Sequence, residues 1–141
     1  MSFNILVIPN PTVLGAVSDE QRAAILDAAG PGSTLTIATK LEDQIKAAAD
    51  ADVALGLIPR EVFIAAPKLR YVQSLSAGVD PIMYPEFVNS DVPLVSEKGI
   101  VGNQLSEHAF GLLLAITRKV GELAQHKTWL VDRAKFRDRK S

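Results

Sequence analysis

The residues best suited to chemistry in this 141-residue sequence are four consecutive ones, Ser76, Ala77, Gly78 and Val79. They follow an apolar segment beginning at Leu69, which predicts a strand that ends where the residues become small. A turn containing a glycine can expose consecutive backbone N–H groups, and such groups bind an anion without a charged side chain. The same spacing also fits an ordinary strand-to-helix turn, so both interpretations remain open on spacing alone.

Two residues of a neighbouring segment are candidates for the same site. Ile58 ends another apolar run and would form an apolar wall together with Leu57, and Arg60 would supply positive charge. Arg60 has a competing interpretation, because Pro59 favours the start of a helix and the next side chain would then point into solvent. The candidate residues for this binding site are thus Ser76 to Val79, Ile58 and Arg60.

Other familiar chemical motifs are missing or excluded by geometry. Glu107 and His108 are adjacent in a predicted helix, where neighbouring side chains diverge by about 100°, so they do not form an acid–base pair. The nine glycines nowhere form Gly-x-Gly-x-x-Gly after a strand. With no cysteine and two histidines, a metal site is not expected. No residue of the chain is predicted to be catalytic.

The elements that would position these residues alternate between strand and helix. Apolar runs predict strands at residues 3–8, 35–38, 53–58, from 69 onward and at 92–96. Helix-capping patterns lie between them, Ser18 with Gln21 and Thr39 with Glu42. This alternation predicts an α/β fold, a flavodoxin-like doubly wound parallel sheet of about five strands. The carboxyl ends of these strands would lead into loops at residues 9–15, 58–61, 76–80 and 97–103, which share one edge.

The apolar period changes at Asn103, which we interpret as a helix cap. Apolar residues then recur at helical spacing to Leu123, predicting one long helix with a possible break near Gly121 and a charged extension beyond Trp129. We therefore divide the chain into a flavodoxin-like domain at residues 1–100, and a long helix with a basic tail at 101–141.

Composition sets broader bounds. A hydrophobic content of 48% and a mean hydropathy of +0.16 predict one soluble globular domain, with no membrane-spanning run and no secretory signal, so a cytoplasmic location is expected. Residues 118–141 contain eight basic and three acidic residues. A nucleic-acid-binding arm is one interpretation, but two aromatics and no known module favour a solvated helical tail.

Two segments carry a resemblance to a known family. Residues 70–80, with Ala-Gly-Val-Asp, and residues 99–118, with Ser-Glu-His-Ala-Phe at 106–110, resemble the amino-terminal third of the D-isomer-specific 2-hydroxyacid dehydrogenases. The resemblance implies that the backbone amides of the first segment receive the carboxylate of a small 2-oxo or 2-hydroxy acid. It also implies that Asn103, Leu105 and Ser106 lie near the nicotinamide of NAD or NADP in a full-length enzyme.

The resemblance further implies what these 141 residues do not include. In the family, an Arg, a Glu or Asp and a His perform catalysis, and they lie downstream together with the cofactor domain. We therefore expect a substrate domain, incomplete and inactive by itself, that binds no cofactor alone. The alternatives are a stand-alone module that binds small carboxylates without catalysis, and a structural module. In either case the apolar stripe of the helix at 104–123 needs cover, which predicts a homodimer.

Overall fold

The computed structural model describes residues 2–10 and 16–125, and its main feature is a five-stranded parallel sheet. The strands are β1 (Asn4–Ile8), β2 (Thr34–Ile37), β3 (Val53–Gly56), β4 (Tyr71–Gln73) and β5 (Leu94–Val95). Their spatial order is β2-β1-β3-β4-β5 and every pair is parallel. This is the flavodoxin-like order, so the predicted fold class is confirmed. Each strand lies within a few residues of its predicted position.

Helices connect the strands and follow the sheet. They are α1 (Asp19–Ala29), α2 (Leu41–Ala48), α3 (Arg60–Ile64), α4 (Pro85–Val88), α5 (Gly102–Thr117) and α6 (Val120–Ala124). A short 3-10 helix, Asp80–Ile82, follows the loop after β4. The strand order reverses between β1 and β3. From β1 the chain adds β2 on one side of the sheet, and it then adds β3 on the other side of β1. That reversal is where open α/β sheets usually bind ligands.

The two predicted helix caps had different outcomes. Ser18 and Gln21 form a reciprocal capping box at the start of α1, as predicted. The prediction for α2 was wrong, since its N-cap is Lys40 and no side chain caps it. The buried amide of Gln44 instead donates to the carbonyls of Ala38 and Thr39, at 3.1 and 3.4 Å. Thr39 therefore lies in a turn that is stabilised from within the helix rather than by its own hydroxyl.

Alternate residues of the strands build a core on each face of the sheet. Leu6, Ala54 and Val72 are at most 1% exposed and belong to a large cluster that also includes residues of α2, α3 and α4. Ile5 and Val7 point to the opposite face, where α1 packs on them. The period of two in side-chain direction explains why continuous apolar runs were the correct signal for these strands.

Gly56, the last residue of β3, is required by a close backbone approach. Its φ is +126°, and a Cβ at this position would lie 2.3 Å from the carbonyl oxygen of Ile8. Only glycine combines this conformation with that contact. Glycine therefore allows the end of β3 to lie close to the end of β1, at the point where the strand order reverses.

The chain divides into two compact units, Met1–Lys98 and Gly99–Ser141. In the second unit, α5 and α6 contain no buried residue. The predicted long helix is confirmed as α5, and the break predicted near Gly121 lies at Lys119, whose left-handed conformation with φ +53° separates α5 from α6. The helix cap is Val101 rather than Asn103. The charged extension beyond Trp129 lies outside the described residues, and none of the described helices is long and apolar enough to cross a membrane.

Candidate functional site

The loop after β4 contains a turn at Ser76 that is held by hydrogen bonds. The hydroxyl of Ser74, which is fully buried, accepts the Ser76 N–H and donates to the Ser76 carbonyl, both at 3.2 Å. The same carbonyl accepts the N–H of Glu97 at 3.3 Å. The Ser76 amide is therefore already used within the chain, and this residue positions the loop rather than offering a free donor.

The next three amides differ from that of Ser76. Within residues 2–10 and 16–125, the N–H groups of Ala77, Gly78 and Val79 have no acceptor, and Ala77 and Gly78 are exposed. A Cβ at Gly78 would meet nothing within 4 Å, so the space beside the loop is open. Unpaired amides in sequence suit a carboxylate, which accepts several hydrogen bonds. The exposed Asp80 carboxylate beside them opposes an anion and limits its affinity.

Ile58 lies in the loop after β3 and Arg60 begins α3; the side chain of Ile58 is buried, and that of Arg60 is paired within the chain. Ile58 is 1% exposed and belongs to the core, so its side chain supports the loop from beneath. The hydroxyl of Tyr84 donates to the Ile58 carbonyl at 3.3 Å, which ties the loop to the segment before α4. The structure therefore gives Ile58 a packing role, and leaves half-buried Leu57 as the apolar residue of this loop.

Arg60 pairs with Glu86 in α4. Its Nε donates to Glu86 Oε2 at 2.9 Å, and its Nη2 contacts the other carboxylate oxygen, so the pair is bidentate. This hydrogen bond raises the pKa of Arg60 and lowers that of Glu86. Because the pair is exposed, it contributes little to stability. Arg60 would have to leave Glu86 before it could contact a substrate.

An aromatic cluster supports this part of the fold. The rings of Phe63, Tyr84 and Phe87 lie with centroids 5.0 to 6.1 Å apart, in tilted or edge-on geometry. Partial burial, followed by the negative charges of Glu86 and Glu61, raises the pKa of Tyr84. Its phenol therefore stays protonated and continues to donate to Ile58.

The predicted cofactor contacts Asn103, Leu105 and Ser106 lie in the first turns of α5, in the second unit, and all three are exposed. The hydroxyl of Ser106 donates to the carbonyl of Gly102 at 2.8 Å. A hydroxyl bonded back to its own helix has one donor fewer to offer a ligand.

Sequence reasoning missed a cleft of about 560 Å³ in the first unit. Val7, Leu55 and Gln73 form its floor, because they are partners in register across β1, β3 and β4 and point to the same face. Leu75 and Glu97 border it. The signal that could have found it was the shared sheet edge, but which face α1 leaves open is a tertiary property. No group of acidic or histidine residues suited to a metal occurs within the described ranges.

Comparison with known proteins matches no family model. Three glyoxylate reductases are similar in sequence. They come from Thermofilum pendens (32% identity over 85 residues, 57% of this chain and 25% of that protein), Korarchaeum cryptofilum (35% over 77 residues, 52% and 23%) and Pyrococcus furiosus (36% over 63 residues, 45% and 19%). The chain matches about a fifth to a quarter of the length of these relatives.

Solved structures share the fold. Two are D-isomer specific 2-hydroxyacid dehydrogenase family proteins, from Aeromonas salmonicida (TM-score 0.65, 23% identity, 99% of this chain and 41% of that one) and Klebsiella pneumoniae (TM-score 0.61, 26% identity, 92% and 40%). A phosphoglycerate oxidoreductase from Rhizobium etli has a TM-score of 0.54 at 19% identity, over 83% of this chain and 37% of that one. Together these similarities confirm the resemblance predicted from the two sequence motifs.

Proposed function

We propose that this chain, which resembles the D-isomer-specific 2-hydroxyacid dehydrogenases in sequence and fold, is the substrate-binding domain of such an enzyme. The complete reaction would transfer a hydride between a nicotinamide and a small 2-hydroxy or 2-oxo acid. The observation that carries this proposal is the row of three unpaired amides at Ala77, Gly78 and Val79. They lie just beyond the carboxyl end of β4, where open parallel sheets bind ligands.

In this proposal the loop amides hold the substrate carboxylate while Ser74 and Ser76 hold the loop. The Ser74 hydroxyl keeps the turn closed through two hydrogen bonds, so the next three N–H groups are presented without a further ordering cost. Each amide-to-carboxylate bond is worth roughly 1.5–3 kcal/mol at most, because one partner is charged. An exposed loop with three such donors and Asp80 nearby should therefore bind acids weakly.

The proposed cofactor is NAD or NADP, bound by a complete enzyme rather than by these residues alone. The 141 residues contain no Gly-x-Gly-x-x-Gly after a strand, which is the feature that cradles a dinucleotide pyrophosphate. The exposed residues Asn103, Leu105 and Ser106 would contact only the nicotinamide end of the cofactor. We accordingly propose that the chain alone neither binds NADH appreciably nor turns over hydroxy acids, and that it acts in the cytoplasm without nucleic acid or membrane.

The test is a titration of the isotope-labelled chain with pyruvate or oxalate, followed by nuclear magnetic resonance. The amide resonances of Ala77, Gly78 and Val79 should shift at millimolar acid. Ala77→Pro, which removes one donor, should weaken the shifts, whereas Gly78→Ala keeps every donor in open space and should preserve them. Shifts confined to other surfaces would show that the loop is only structural. Micromolar binding of NADH by calorimetry would contradict the cofactor proposal.

We also propose a homodimer through the helical segment at 104–123. Leu105, Phe110, Leu112, Leu113 and Ile116 are each at least 53% exposed. Exposed apolar surface of this extent usually marks an interaction site, and a helix with no buried residue needs a partner to remain stable in water.

Light scattering after size-exclusion chromatography should give twice the chain mass at micromolar concentration. Leu113→Glu should shift the mass toward the monomer or cause aggregation, while Gln104→Glu, the same charge at a polar position, should not. A monomer with strong hydrogen-exchange protection in α5 would contradict the dimer.

A stand-alone carboxylate-binding or structural module is the second candidate, favoured by the lack of a dinucleotide fingerprint in these residues. The coding sequence after Ser141 separates the two candidates. A strand followed there by Gly-x-Gly-x-x-Gly would favour the enzyme, and a stop codon would favour the module.

A further inference from the structure

The cleft beside α1 lies where the strand order of the sheet reverses. Its floor, Val7 of β1 and Leu55 of β3, spans the two strands between which the reversal occurs. Ligands of doubly wound sheets bind in the crevice at this point, outside the carboxyl ends of the strands. A volume of about 560 Å³ is within the roughly 300–1,000 Å³ that is typical of small-molecule sites.

The lining of this cleft is mostly apolar. Val17, Ala24 and Ile25 come from α1 and the segment before it, and they face the apolar residues of the strands. The side-chain amide of Gln73 already makes two hydrogen bonds, since it accepts from the Tyr71 hydroxyl at 2.7 Å and donates to the Ser74 carbonyl at 3.0 Å. What the cleft offers a ligand is therefore apolar surface over most of its wall.

Among the described residues that line the cleft, Glu97 is the single charged one. Its carboxylate has no ion-pair or hydrogen-bond partner among the described residues, and its backbone N–H donates to the carbonyl of Ser76. An unpaired carboxylate at the border of an apolar cleft repels a second carboxylate or a phosphate, and it accepts a hydroxyl or tolerates a hydrocarbon.

The cleft lies close to the loop proposed to bind the carboxylate. Leu75 lines the cleft and is two residues before Ala77, so their Cα atoms are no more than about 7 Å apart. Glu97 is bonded to the residue between them, Ser76. A molecule whose carboxylate occupies the loop amides can therefore reach the cleft with a side chain of a few carbon atoms.

We propose that this cleft receives the side chain of the acid, so that the substrate class is 2-oxo and 2-hydroxy acids with an apolar side chain, and that Glu97 selects against dicarboxylic and phosphorylated acids. The inference rests on the proposed carboxylate loop and adds its specificity. A two-carbon acid would leave the cleft empty, whereas a branched five- or six-carbon acid would bury its methyl groups on Leu55 and Ile25. Each fully buried methylene tightens binding about fourfold.

The probes are pyruvate, 4-methyl-2-oxopentanoate and 2-oxoglutarate, titrated into the labelled full chain. The branched acid should bind roughly tenfold more tightly than pyruvate, because its three additional carbons are partly buried. It should also shift the resonances of Leu55, Leu75 and Ala24. 2-Oxoglutarate should bind more weakly than the branched acid by about tenfold, and Glu97→Gln should remove most of that difference.

Two tryptophan substitutions in α1 make the test specific. Ala24→Trp would fill the cleft and should remove the advantage of the branched acid, while Ala23→Trp places the same side chain on an exposed residue that does not line it. Equal affinity for pyruvate and the branched acid, or an advantage that survives Ala24→Trp, would overturn the inference while leaving the carboxylate loop intact. Absence of shifts at Ala77, Gly78 and Val79 with every acid would instead overturn the proposed function on which it rests.

Discussion

The two units of this chain differ in whether their apolar residues are buried. In the unit Met1–Lys98, apolar residues fill a core on both faces of the sheet, and every buried apolar residue of the described chain lies at Phe87 or earlier. In the unit that begins at Gly99, α5 is just as apolar but none of its residues is buried. The difference teaches that hydrophobic content predicts a need for cover, whereas the topology decides whether the same chain provides it.

The sharpest test of this contrast compares one leucine from each unit. Leu6→Ala should lower the free energy of unfolding by about 2–5 kcal/mol, because it leaves a cavity in a site that is 1% exposed. Leu113→Ala, at a site that is 53% exposed, should change the free energy of unfolding of the monomer by no more than about 0.5 kcal/mol. Urea denaturation at low and high protein concentration measures both. A large loss for Leu113→Ala at low concentration would break the comparison.

Two glycines extend the comparison to the backbone. Gly56→Ala should cost at least about 1–3 kcal/mol for its backbone conformation, and more for the contact of the new Cβ with the Ile8 carbonyl. Gly111→Ala should stabilise α5 by about 0.5–1 kcal/mol, since a Cβ there meets nothing within 4 Å and alanine favours helix. Thermal unfolding followed by circular dichroism checks both signs. Destabilisation by Gly111→Ala would reveal a close contact on α5.

Tyr84 tests the link between the aromatic cluster and the loop after β3. Burial raises its pKa above the ordinary value of 10.0, so the folded state holds the proton more tightly than the unfolded state. Its contribution to stability is therefore complete below pH 10 and is lost as the pH rises above that value. Tyr84→Phe should cost about 0.5–1.5 kcal/mol at neutral pH through the hydrogen bond to Ile58.

The decrease of stability with rising pH in the alkaline range tests this role of Tyr84. Urea midpoints measured between about pH 9 and pH 11 should fall less steeply in Tyr84→Phe than in the unaltered chain. Phe110→Leu is the control, because Phe110 is 66% exposed in the second unit and has no titrating group. Parallel slopes for all three proteins would contradict the role of the phenol.

The smallest expected effect concerns the ion pairs. The hydrogen bond from Arg60 lowers the pKa of Glu86 below 4.5, so the contribution of this pair is present above pH 4.5 and is lost as the pH falls below it. In Glu86→Gln, the free energy of unfolding of the first unit should fall slightly less steeply as the pH is lowered. Glu122→Gln, whose partner Lys119 is three residues away in the second unit, serves as the control. Acid denaturation at low salt would show the difference, and high salt should reduce it.

Local patterns were most reliable where the residues that decide a structure are close in sequence. The capping box of Ser18 and Gln21 needs four residues and was predicted correctly. Thr39 showed the same pattern, but α2 begins one residue later with Lys40 as its N-cap, and the buried Gln44 donates to the carbonyls of Ala38 and Thr39. The break at Lys119 was placed two residues too late, since glycine signals flexibility without requiring a bend.

For the candidate site, the sequence located the loop, but its individual donors depended on the fold. Ser76 was counted among the free amides, yet the Ser74 hydroxyl two residues earlier already binds it. Ile58 was assigned to a wall that faces a ligand, but it is 1% exposed and belongs to the core cluster that includes residues of α3 and α4. The pairing of Arg60 with Glu86, 26 residues away, had no signal in either segment.

By itself, the sequence determined the kind of each element, the parallel sheet and the loop where a carboxylate is proposed to bind. Those properties follow from side-chain periodicity and backbone freedom over a few residues, which any part of the chain carries with it. Only the tertiary structure decided which amides remain unpaired, which apolar residues are covered, and that a cleft lies between α1 and the sheet. These depend on register and on contacts between distant segments, because burial and hydrogen-bond satisfaction are properties of neighbours in space.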